Sequence, residues 1–110
     1  MAEGNEPQPL GSYQASSTKG AKVSSDTNLA VAVTGKTVVV SYYVPVTANM
    51  SKGDIIGTLN IPSDFITNGY SSDLINKKSV NLAMNTKDFT ADESISSGTT
   101  LRGQIVGVMK

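Results

Sequence analysis

Apolar and polar residues alternate in short runs separated by Gly, Ser and Asn, and the longest run is Thr37–Val46. Val38, Val40, Tyr42, Val44 and Val46 form one parity that is apolar throughout; Val39, Ser41, Tyr43 and Pro45 form a mixed one. A period of two is that of a β-strand, and β-branched and aromatic side chains suit its pleated surface. The run predicts a long strand with a core face and a second face that is wet or meets a partner. Pro45 has no N–H for a ladder, so the strand ends there or lies at an edge.

The other elements follow from the same pattern. Leu29–Val33 predicts a strand joined to the long one through Thr34-Gly35-Lys36, a hairpin link. Residues 54–61 predict a strand with Ile55, Gly57, Leu59 and Ile61 on its core face, closed by Pro62. Residues 63–78 have no clean period. They predict a long loop with a turn at Asn68-Gly69 that carries Phe65, Tyr70 and Leu74 back to the core. Val80, Leu82 and Met84 alternate with polar residues, and Phe89-Thr90 marks a short strand. Thr99–Met109 is the last strand, with Leu101, Gly103, Ile105, Gly107 and Met109 on one face and Arg102, Gln104, Val106 and Val108 on the other. Its two core-side glycines predict bulky neighbours close by. Residues 1–27 are rich in Pro, Gly, Ser and Gln and predict a flexible N-terminal arm. The expected architecture is all-β, an antiparallel β-sandwich or jelly-roll-like domain of about six to eight strands over residues 28–110.

Composition narrows what such a domain does. A chain of 110 residues is one domain, and with no Trp and only 5% aromatics its core is aliphatic and thin. Oligomerisation is the expected second source of buried surface. Nine basic residues balance nine acidic ones, leaving no cationic excess to neutralise phosphates. An OB-like nucleic-acid-binding barrel also needs aromatics interleaved with basic residues, and Tyr43 and Tyr70 lack that neighbourhood.

The absence of Cys and His excludes disulfides, thiolate or imidazole metal ligands, Cys nucleophiles and His-based acid–base catalysis. Lys77-Lys78-Ser79 makes no Ser–Lys pair, because adjacent strand residues face opposite ways. Asp54, Asp88, Asp92 and Glu93 offer oxygens, but their spacing matches no calcium loop. A non-enzymatic protein with no cofactor and no metal is expected. The first residues lack the basic and apolar regions of a signal peptide, and no run approaches a membrane span, so synthesis in the cytoplasm is expected, with no membrane partner.

Three features together resemble a known group. They are Lys52-Gly53-Asp54-Ile55-Ile56-Gly57-Thr58-Leu59 with Pro62 just beyond, a mid-chain alternating strand, and the closing run Ser97-Gly98-Thr99-Thr100-Leu101-Arg102-Gly103-Gln104-Ile105-Val106. This order resembles the small β-sandwich domains of tailed-phage structural proteins: baseplate, tail-fibre and receptor-binding modules. The chain departs from that pattern in having Asn60-Ile61 between Leu59 and Pro62. The resemblance implies a virion structural module, made in the host cytoplasm and assembled as a homotrimer. Its implied partners are other virion proteins and a host cell-surface saccharide. A capsid decoration protein is the alternative of the same size and habit. The subunit interface is expected on the second face of the long strand, at Val39, Tyr43 and Pro45, with Arg102 bridging to a neighbour.

Overall fold

Alternation becomes burial along the chain's longest apolar runs. The computed structural model describes residues 11–110. Its strands are β1 (Ser12–Ala15), β2 (Ser17–Lys19), β3 (Asn28–Thr34), β4 (Thr37–Pro45), β5 (Ile55–Leu59), β6 (Gly69–Ser72), β7 (Ser79–Leu82), β8 (Asp88–Ala91) and β9 (Thr100–Val108). They form two antiparallel sheets, ordered β1-β3-β4-β9 and β2-β5-β8-β7-β6. The fold is the expected all-β sandwich.

β4 is one of the two inner strands of the first sheet. Val38, Val40, Tyr42 and Val44 point inward and are buried, as are Val31 and Val33 of β3 and Leu101 and Ile105 of β9. Ile56 and Leu59 of β5, Leu82 of β7 and Phe89 of β8 meet them from the second sheet in one hydrophobic cluster. The ring centroids of Tyr42 and Phe89 lie 5.1 Å apart at 52°, a tilted aromatic contact. The glycines of β9 make room for large side chains. A Cβ on Gly103 would lie 2.7 Å from Tyr42 Oη, and one on Gly107 would lie 2.7 Å from the Phe65 ring.

Two segments tie the sheets together. Residues 12–19 run through both: β1 pairs with β3, and β2 pairs with β5 in the opposite sheet. Ser16 sits at the crossing, where its carbonyl accepts from Asn60 N at 2.9 Å. Val23 is also buried in the core. Thus residues 12–23, expected in the arm, are part of the fold; residues 1–10 lie outside the described residues. The strand count reaches nine because β1 and β2 come from this stretch and β6 from the expected loop.

At the other side of the sandwich the segment 66–76 lies along the free edge of β9. Ile66 N donates to Val108 O at 2.8 Å and Leu74 N to Arg102 O at 2.7 Å. Between and beyond them, Ser71 Oγ donates to Gln104 O and Asn76 Nδ2 to Thr100 O, both at 2.8 Å. Main-chain and side-chain donors therefore share the task of satisfying an edge that would otherwise attract a foreign strand.

Two expectations about side-chain direction are corrected. Ile55 is exposed and Ile56 buried, because the pairing of β5 with β8 shifts register between Ile55 and Gly57. Such a bulge inserts one residue and reverses the facing of what precedes it. Tyr70 and Leu74, expected in the core, are 64% and 69% exposed, whereas Phe65 is fully buried as expected. Tyr70 pairs with Asn81, on the solvent side of β6 and β7, and Leu74 sits on a turn outside the edge of β9.

Candidate functional surface

The outward face of the four-stranded sheet is built by the polar parity of β3, β4 and β9. Register sets its rows: Ser12–Thr34–Thr37–Val108, then Gln14–Ala32–Val39–Val106, then Ala30–Ser41–Gln104, then Asn28–Tyr43–Arg102, and last Pro45–Thr100. Side chains on one row point the same way. The structure therefore brings Val39, Tyr43, Pro45 and Arg102 onto one face. Val39, Tyr43 and Pro45 are half-buried, and Arg102 is exposed.

Two exposed residues of the edge segment continue that face. Ile66 bonds beside Val108, and Leu74 bonds beside Arg102. Ile66, Leu74, Val106 and Val108 are four of the nine large apolar side chains most exposed among the described residues, so nearly half of them gather here. Ile75, 67% exposed, follows Leu74 on the same turn. Arg102 is the one charged residue in these rows.

Two pairs of polar side chains on the face bond to each other. Gln104 Nε2 donates to Ser41 Oγ at 3.0 Å, and the Ser12 and Thr34 hydroxyls are 3.0 Å apart. The Arg102 guanidinium lies 4.8 Å from the centroid of the Tyr43 ring, a cation–π contact across the β4–β9 pair.

A buried carboxylate shapes the turn that carries Leu74 and Ile75. Asp73 is 1% exposed and accepts three backbone N–H bonds, from Ile75 (3.1 Å), Asn76 (2.7 Å) and Lys78 (2.6 Å). An Asp folding its own following backbone is a common way to fix a turn. Lys77, at φ +60°, sits where the chain reverses. Two adjacent large apolar residues are thus presented on a fixed turn.

The other sheet and its turns are dressed differently. Thr58 Oγ1 donates to Asp88 on its outer face, and ion pairs crowd one end: Lys22–Asp54 (2.7 Å), Lys78–Glu93 (3.6 Å) and Lys52–Asp92 (4.0 Å). Lys22 holds the Asp54 carboxyl below its ordinary pKa, aided by the Ser51 N–H. The Ser79 N–H does the same for Glu93, with a smaller contribution from Lys78. A shallow groove of about 470 Å³ lies beside the first pair, between Thr18–Lys22 and Gly53–Thr58. Its charged side chains are Lys19 and the mutually paired Lys22 and Asp54, with no nucleophile set against a base. Among the described residues no group of three or more acidic side chains is placed to hold a metal ion, so Asp54, Asp88, Asp92 and Glu93 are not brought together.

Among the described residues three buried side-chain atoms lack a partner: Thr27 Oγ1, Asn81 Oδ1 and Tyr42 Oη. Tyr42 Oη is buried without a hydrogen bond: Ser71 is beside it, but the Ser71 hydroxyl proton goes to the Gln104 carbonyl. Burial raises the Tyr42 pKa, and the nearby Asp73 charge adds to the rise.

Leu74, Ile75 and Ile66 are the surface residues missed in the sequence. Asp73 and Asn76, which flank the Leu-Ile pair directly, were the available signal, since an Asx-type turn there keeps both apolar residues outside. Comparison with family models, curated proteins and solved structures finds no match for the chain.

Proposed function

We propose that this protein is a non-enzymatic structural module of a tailed-phage virion, a homotrimer that forms part of a tail, baseplate or fibre. The observation that carries this reading is the outward face of the four-stranded sheet, where Val39, Val106, Val108 and Tyr43 lie beside the exposed Ile66 and Leu74 among uncharged polar residues, with Arg102 the one charge in the rows. Large apolar side chains gathered on one exposed face mark contacts with other proteins. The order of strand motifs supplies the resemblance to phage tail modules. Its mechanism is geometric: two sheets sharing one core and joined at both sides hold the exposed loops and turns in place for other virion proteins or a host-surface saccharide.

Incubating the purified chain with tail particles and, separately, with expanded empty heads tests this reading. Trimers that co-sediment with tails support it. Co-sedimentation with heads alone transfers the protein to the capsid decoration class. A single chain that binds neither overturns it.

A further inference from the structure

The face described above has an edge that the expected interface did not include. Leu74 continues the row of Asn28, Tyr43 and Arg102, and Ile66 continues the row ending in Val108. With strands about 4.8 Å apart and about 3.4 Å per residue, the sheet face offers roughly 500 Å², and the edge segment raises that to roughly 700 Å². A stable interface takes about 800 Å² from each partner. The patch is therefore of the size that a second copy would cover. Two pairs of its polar side chains already bond to each other, and the covering surface supplies partners for Gln14, Asn28, Thr37 and Thr100.

Charge decides how the second copy sits. Arg102 is the one cation in the rows, and no carboxylate accompanies it. If two identical faces met across a two-fold axis, they would bring two Arg102 side chains into one interface with no anion. Burying unpaired cations is costly. A head-to-tail contact instead sets the face against a different surface of the neighbour, and a chain with as many acids as bases has carboxylates elsewhere to offer. Repeated by rotation, such contacts close into rings, of which a trimer is one.

We propose that the outward face of the four-stranded sheet, extended by Ile66 and Leu74, is the docking surface for a second copy of this chain. The contact is heterologous: the neighbour presents a different surface that brings a carboxylate to Arg102. This rests on the reading of the protein as an oligomer and adds which surface is used and with what symmetry. Leu74 is the anchor at the edge of this surface. It is the most exposed large apolar residue described, and the turn that Asp73 folds presents it at little further entropic cost.

Sedimentation velocity of the full chain over a range of concentrations tests it, with circular dichroism to confirm that each variant folds. Leu74→Asp and Val106→Lys alter exposed side chains and leave the core intact; each is expected to weaken assembly by about 30-fold or more. Arg102→Gln is expected to weaken it about 10-fold, through loss of the cation from a paired site. An assembly unmoved by both Leu74→Asp and Val106→Lys overturns the surface while leaving the oligomer reading in place. An assembly tightened by Arg102→Gln overturns the heterologous contact, because only like-charge repulsion across a two-fold is relieved that way. A wild-type chain that stays single at millimolar concentration overturns the inference together with the oligomer reading.

Discussion

The two outward surfaces of this sandwich solve different problems with similar strands. The four-stranded sheet presents valine, alanine and tyrosine with polar groups that bond to one another, and a single cation. The five-stranded sheet and its turns carry Lys–Asp and Lys–Glu pairs, with carboxylates held in the ionised form by nearby N–H groups and ammonium groups. The first surface has a single charge to desolvate when water leaves it. The second is suited to water or to an oppositely charged partner. The difference lies in how much charge each outward surface carries, since both sheets bury their other face in the same core.

Changes to the shared core should collapse both surfaces together, with the largest effect. Phe65→Ala removes a fully buried ring that lies against Gly107 and is expected to cost about 4 kcal/mol by denaturant unfolding. Asp73→Ala acts on one surface. It leaves three N–H groups without their carboxylate, should cost roughly 2 kcal/mol, and should speed hydrogen exchange in residues 74–78 before the sheets respond. Tyr42→Phe removes a buried hydroxyl that has no partner, so the chain should become more stable by up to about 1 kcal/mol.

Acid should sharpen the contrast further. Asp54 and Glu93 have lowered pKa values in the fold, so the folded state binds fewer protons than the unfolded chain. Their stabilisation is present above the ordinary carboxylate values of 3.8 and 4.5 and is lost as pH falls through the folded values. Unfolding midpoints should therefore drop on acidification, and Asp54→Asn should flatten part of that slope. Salt should weaken the effect, because both groups are solvent-exposed. At the small end, Val106→Ser should change folding stability of the single chain by less than about 0.5 kcal/mol, since this side chain lies outside the core.

Much of this arrangement was legible in the residues. Strict alternation in β4 and β9 gave both faces of the first sheet, including Val106 and Val108 on the outside, because a period of two leaves no ambiguity once one parity is wholly apolar. The glycines at 103 and 107 announced the close approach of large rings. Long-range events hid the rest. No local pattern marks the bulge that turns Ile55 outward, since it is defined by pairing with Thr90 thirty-five residues away. β1 and β2 are short, polar and exposed, so their strand character comes from partners in β3 and β5 rather than from their own sequence. Leu74 was assigned by hydrophobicity to the core, and the buried carboxylate of Asp73 holds it outside.

The central claim is that the sheet face whose one charge is Arg102 is made to be covered by another copy of the chain. Comparing wild type with Val106→Lys by sedimentation velocity, at a concentration where wild type is assembled, tests it most directly. The account predicts a folded single chain for the variant, with an unfolding midpoint close to that of dissociated wild type. A Val106→Lys protein that sediments with the wild-type oligomer would contradict it.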